Sequence, residues 1–127
     1  YNPATLDSDG DTLMDAAEVQ THHTSPTNSD TDGDHAGDGE EIVADTSPTN
    51  AASFFRISEL EWQSAPTVLF ASSSNRVYGL ETRAGLTASN WQAVAGQTNV
   101  PGNGGVLSMP DAVGDGDGFY RVQVRYP

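Results

Sequence analysis

The chain has no cysteine and no lysine among its 127 residues. Without cysteine there is no disulfide framework, so each part must be held by burial or by a bound ligand. With no lysine, and five arginines against 18 acids, the formal net charge is −13. That excess speaks against nucleic acid and against anionic membrane surfaces, which are gripped by clustered cations. No run approaches the ~20 apolar residues that a membrane-spanning helix requires. Asn-x-Ser/Thr sequons are absent too, so N-linked sugars have no acceptor. The opening Tyr1-Asn2-Pro3-Ala4-Thr5 is polar and unlike a signal peptide; the segment reads as mature or excised.

Charge is divided unevenly. Residues 1–53 hold 12 acids and no Lys or Arg, a net of −12, whereas residues 54–127 hold all five arginines against six acids, a net of −1. Two domains are expected on that divide, 1–53 and 54–127. A segment so acidic, with few large apolar side chains, cannot fold on burial alone. A ligand that binds only the folded form supplies the missing free energy.

The acids are ordered. Asp7, Asp9 and Asp11 stand at alternate positions, followed by Asp15 and Glu18; Asp30, Asp32 and Asp34 are followed at the same spacing by Asp38 and Glu41. Counting each loop from its first Asp, carboxylates occupy places one, three, five, nine and twelve. Place seven, Leu13 or Ala36, would offer a backbone carbonyl, and the glutamate at twelve would bind through both oxygens. Crowded carboxylates repel unless a hard cation sits among them, and Ca²⁺ accepts six to eight oxygens in irregular geometry. Two or more Ca²⁺ ions are expected. A solvated, disordered linker explains one Asp-rich run well but not two loops matching at five places, each followed by Thr-Ser-Pro-Thr-Asn (24–28 and 46–50). Such sites suit an extracellular setting, where free Ca²⁺ is abundant.

On these residues the segment 7–50 resembles bacterial thrombospondin type-3 repeats, whose pattern is Asp-x-Asp-Gly-Asp-Gly-x-x-Asp-x-x-Glu with a following Thr-x-Pro. The chain departs at place six, where the family prefers glycine and Thr12 and His35 stand here. The resemblance implies cross-repeat ligation, for which Asn28, Asp45 and Asn50 are candidates. A dockerin, which also pairs two such loops, is the rival. Ala16, Ala17, Val19, Ile42 and Val43 offer little docking surface, and no cation accompanies them.

From Phe54 the texture is that of short strands between Gly, Pro, Asn and Ser: 54–62, 67–71, 76–82, 91–94, 105–109 and 119–126. In the last, Tyr120, Val122, Val124 and Tyr126 alternate with Arg121, Gln123 and Arg125. The fold class expected is mostly β, a small antiparallel sandwich preceded by the acidic arm with short helical turns over 15–20 and 38–44. Its core is expected from Phe55, Ile57, Leu60, Val68, Phe70, Tyr78, Leu80, Trp91, Val94, Leu107, Tyr120, Val122 and Val124. Phe55-Arg56-Ile57, Tyr78-Gly79-Leu80 and Phe119-Tyr120-Arg121-Val122 resemble a fibronectin-type-III-like module found at the C-termini of secreted bacterial proteins. That resemblance implies fold and placement and brings no catalytic residue.

Catalysis finds little footing. His22 and His23 lie in a polar connector and His35 in a turn, where solvated side chains are the expectation and zinc spacing is lacking. Glu59 and Glu61 read as exposed alternation, and Asp111, Asp115 and Asp117 as turn residues more than as another Ca²⁺ site. Trp62 and Trp91 read as core before they read as sugar platforms. The expected function is a non-enzymatic extracellular module, a calcium-stiffened arm plus sandwich, for surface assembly or adhesion. Copies of itself joined head to tail, another surface protein, or a glycan are the partners considered. The alternatives are a carbohydrate-binding or dockerin-like module of a secreted enzyme.

Overall fold

The computed structural model describes residues 3–62, 64–87, 90–114 and 117–127. The chain divides into two compact units, Tyr1–Phe55 and Arg56–Pro127.

The first unit is built from turns and two short helices, α1 (Asp15–Ala17) and α2 (Asp38–Ala44). Each begins on the carboxylate at place nine, so acids stand at the N-terminus, where the helix dipole favours them. α1 runs on into a π-helical turn, Glu18–His22. That wider turn absorbs an inserted residue. Thr24 stands six positions after Glu18 and Thr46 five after Glu41, yet both threonine N–H groups donate to the glutamate carbonyl, at 3.2 and 3.0 Å. His23 and Asp45 end the two helical segments in the left-handed region, at φ 61° and 62°. Glu18, Asp38, Glu41 and Thr24 are buried here, whereas the fully buried large apolar side chains among the described residues all belong to the second unit. The first unit has an interior of carboxylates.

The second unit is mostly β, with two antiparallel sheets. Its strands are β1 (Ile57–Trp62), β2 (Pro66–Ala71), β3 (Val77–Arg83), β4 (Gln92–Ala93), β5 (Val100–Pro101), β6 (Val106–Pro110) and β7 (Phe119–Arg125). Sheet A has the order β1-β2-β6; in sheet B, β3 carries β7 on one side and β4 and β5 on the other. The core lies between the sheets: Val68 and Phe70 from β2, Tyr78 and Leu80 from β3, Met109 from β6, and Val94. Phe70 and Tyr78 pack with ring centroids 5.0 Å apart. Burying each such side chain stabilises by about 1.5–3 kcal/mol.

Several core expectations are corrected. Ile57 and Leu60 are 40 and 58 % exposed, because β1 is an edge strand paired only with β2 among the described residues. Trp62 is 59 % exposed for the same reason. Trp91 is half-buried, with the guanidinium groups of Arg83 and Arg121 over its ring at 4.7 and 4.6 Å from the centroid. Phe55, Leu107, Tyr120, Val122 and Val124 are half-buried. Met109, absent from the expected core, is fully buried, and Val100–Pro101 pairs with β3 where only a turn is expected.

Candidate metal centre

The two acidic loops fold alike because their carboxylates bind their own backbone. At place one, Asp7 accepts from the N–H groups of Gly10 and Thr12 at 2.7 and 3.2 Å; Asp30 accepts from Gly33 and His35 at 2.8 and 3.0 Å. At place three, Asp9 Oδ1 takes the Asp11 N–H and Asp32 Oδ1 that of Asp34. At place five, Asp11 Oδ1 takes the Leu13 N–H and Asp34 Oδ1 that of Ala36. Such Asx-type bonds curl the chain around a common centre. The curl needs left-handed backbone at places four and six. Gly10 and Gly33 meet it without strain, whereas Thr12 and His35 are held at φ 81° and 77°.

Eight of the ten expected carboxylates fall into three groups, and Asp15 and Glu41 join none of them among the described residues. One ligand atom from each of Asp7, Asp9 and Asp11 lies within 4.8 Å of the others, and the same holds for Asp30, Asp32 and Asp34. A third group joins the loops, with Asp11 and Glu18 of the first meeting Asp38 of the second within the same distance. The Asp11 Oδ2 atom also accepts from the N–H of Gly39, 28 residues away, at 3.2 Å. α2 approaches the first loop so closely that a Cβ on Gly39 would stand 2.0 Å from the Asp11 carbonyl oxygen. That approach explains why place ten is Gly in the second loop and Ala16 in the first.

The glutamates at place twelve are the most enclosed, Glu18 at 0 % and Glu41 at 1 % exposure. The Oε1 atom of each accepts a hydroxyl, from Thr24 at 3.2 Å and Thr46 at 3.1 Å. The Oε2 atoms are buried without a hydrogen-bond partner, as are Oδ2 of Asp9, Asp32 and Asp34. Five orphaned carboxylate oxygens in so small a unit are costly unless something positive meets them. The residues present therefore fit a hard cation, and these clusters of acidic residues could hold a metal ion. Burial, and then neighbouring carboxylates, push Glu41 up to about 7 and raise Asp11 and Glu18 above the usual carboxylate range; the threonine hydroxyls oppose the shift in both glutamates.

Asp15 and Asp38 have a second duty. Asp15 takes the N–H and hydroxyl of Ser8, both at 2.8 Å, and Asp38 those of Thr31, at 2.8 and 2.6 Å, so place nine braces place two. Leu13 and Ala36 donate their N–H groups into the loops. Asn28 binds the Asp30 carbonyl, Asn50 the N–H of Ala52, and Asp45 ends α2; none joins an acidic group among the described residues. Sequence reasoning missed Ser8, Thr31, Thr24 and Thr46. A hydroxyl stands at place two of both loops and opens both connectors.

No protein-family model matches the chain. No curated protein matches it either. Among solved structures it is similar to a chain described as "Biofilm associated protein - BSP domain", at 21% identity over 96% of this chain and 20% of that one, with a TM-score of 0.37. The chain thus spans about a fifth of the length of that structure.

Elsewhere, Glu59 and Glu61 lie together on the outward face of sheet A, opposite Leu69 and Thr67. Asp111 is buried and accepts from the Val113 N–H and the Tyr120 hydroxyl, closing one end of the sandwich. Asp115 lies outside the described residues. His23 and His35 are exposed at left-handed positions. No helix of the described residues is long and apolar enough to cross a membrane.

Proposed function

We propose that this chain is a non-enzymatic structural module of the bacterial cell exterior, in which Ca²⁺ orders the acidic arm and the arm carries the sandwich into surface assembly or adhesion. The observation that carries the reading is the pair of glutamates, Glu18 and Glu41, each buried with one oxygen on a threonine and the other without a partner. A carboxylate so placed gains from a cation and loses from water exclusion alone. Asp, Glu and carbonyl oxygens at these spacings favour Ca²⁺ over softer metals, which prefer His or Cys. Two bound ions contribute +4 against the −12 of residues 1–53 and leave the arm acidic. The ion's role is structural, setting stiffness and protease resistance. Each site binds Ca²⁺ with millimolar-range or tighter affinity, as extracellular modules commonly do.

Calorimetric titration of chelator-stripped protein tests this. Calcium should evolve or absorb heat at a stoichiometry of at least two. Circular dichroism should show the chain gaining order, and proteases that do not require Lys or Arg, which residues 1–53 lack, should cut the arm only in EDTA. An arm equally ordered with and without calcium, with no heat of binding, overturns the reading. Electron micrographs in calcium and in EDTA then separate rods built head to tail from isolated molecules.

A further inference from the structure

The sheet edges of the second unit are not equally defended. β1 has a bulge between Ile57 and Glu59 and presents Glu59 and Glu61. β6 is five residues long and closes on Pro110; β4 and β5 are two residues each, and β5 ends in Pro101. Bulges, charge, prolines and shortness all discourage strand addition. β7 has seven residues with no proline, glycine or register break, with β3 on one side and no strand on the other among the described residues.

A second observation points to the same side of the sandwich. The register puts Ile57, Leu60 and Trp62 of β1 on the sheet face that carries Phe70, Val68 and Pro66, which is the inward face. The β2 members are buried, whereas the β1 members are 40, 58 and 59 % exposed. Gln97 fixes which way the sheets lie over each other. Its carbonyl takes the Leu80 N–H beside β3, and its side chain reaches the Pro110 carbonyl at 3.1 Å, so β6 covers the β4/β5 edge. β1, at the far end of sheet A, therefore overhangs the β7 side. On that side Val122 and Val124, inward residues of β7, are only half-buried, while Tyr120, also half-buried, reaches Asp111 beyond the end of β6.

The sequence of β7 says what fits there. We propose that two copies of this chain pair antiparallel through β7, centred on Val122, so that sheet B continues into the second molecule across a two-fold axis. On the inward face Val122 then meets the partner's Val122, and Tyr120 meets the partner's Val124. On the outward face Arg121 meets the partner's Gln123, and Phe119, 42 % exposed, meets the partner's Arg125 in a cation–π pair. Sliding the pairing by two residues sets Arg121 against the partner's Arg125 or against the partner's Arg121. A slip of one residue turns the apolar side outward. Among registers that pair five or more residues of β7, the Val122-centred one alone avoids both faults. It draws the exposed Ile57, Leu60 and Trp62 of both copies to the seam, away from water. The contact is isologous, so it closes as a dimer and needs no calcium.

Sedimentation velocity on the full chain, run over a concentration series in calcium and in EDTA, tests the pairing. A reversible dimer should form equally in both buffers. The Gln123→Lys variant puts lysine opposite the partner's Arg121 twice per dimer and should weaken association about tenfold; Gln123→Glu should strengthen it several-fold. Both changes lie on an exposed strand position, and circular dichroism confirms that each variant is folded. Hydrogen exchange over 119–125 should slow as concentration rises. A chain still monomeric at about 1 mM, the weak end of specific association, overturns the proposal. So does a dimer that appears only in calcium, which assigns the contact to the arm. Equal dimerisation of both Gln123 variants overturns it too, because the contact then lies elsewhere.

Discussion

Replacing Glu41 by glutamine should change the stability of the first unit in opposite directions with and without calcium. Glu41 is 1 % exposed, its Oε1 holds the Thr46 hydroxyl, and its Oε2 is buried without a partner. Burial and nearby carboxylates push its carboxyl from 4.5 up to about 7. In the metal-free protein the folded state therefore holds a proton that the unfolded chain releases above about pH 4.5. The sign follows: stability that is full below 4.5 is lost as pH rises through about 7. At pH 8 the loss is at most about 3 kcal/mol, taking 1.36 kcal/mol per unit of displaced pKa. Glutamine has nearly the same shape and no charge, so in EDTA at pH 8 Glu41→Gln should unfold at higher denaturant than wild type. In calcium the order should reverse. Saturation at about 100 times the dissociation constant stabilises the wild type by about 2.7 kcal/mol through mass action, and the variant loses most of that gain. Urea unfolding, followed through the first unit in the two buffers, reads both arms. A variant destabilised to the same extent in EDTA and in calcium would refute the reasoning, since Glu41 would then be a packing residue and neither a strained acid nor a ligand.

Three further outcomes follow from the same geometry. Gly39→Ala drives a Cβ into the Asp11 carbonyl at 2.0 Å, so the loops must separate; a loss of about 2–4 kcal/mol from the first unit and weaker calcium binding are expected, by urea unfolding and titration. His35→Gly relieves a left-handed residue at φ 77° and should stabilise the first unit by up to about 1 kcal/mol in either buffer. Thr46→Val takes the hydroxyl from Glu41 Oε1 while keeping the side-chain shape. It should lower calcium affinity about tenfold or more by calorimetry, the usual effect of removing a group that orients a metal ligand, and leave thermal unfolding of the second unit unchanged.

Much of the candidate site is legible in the order of the acids. Local hydrogen bonds close both loops, each spanning at most seven residues, so a spacing rule read along the chain finds Asp7, Asp9 and Asp11 together and their counterparts at 30, 32 and 34. The same rule treats the loops as independent. It gives no hint that Asp11, while one oxygen stays in its own loop, also receives the Gly39 N–H on the other and stands beside Asp38, because that contact spans 28 residues. The inserted residue between Glu18 and Thr24 looks like a break in the repeat, and only the π-helical turn shows how the repeat survives it.

The second unit divides in the same way. Alternation in 119–125 specifies a strand with one apolar side, since side chains in a strand point to opposite faces in turn. The composition of β1 also marks Ile57, Leu60 and Trp62 as apolar, and pattern alone sends such residues to the core. Whether a face is covered is a property of the opposite sheet, whose extent depends on how many strands pair and in what order. The spacing of the acids and the periodicity of the strands were thus settled by neighbours in the chain. The meeting of the two acidic loops, the enclosure of Glu18 and Glu41, and the uncovered edge beside β7 were settled only by segments that folding brings together from far apart.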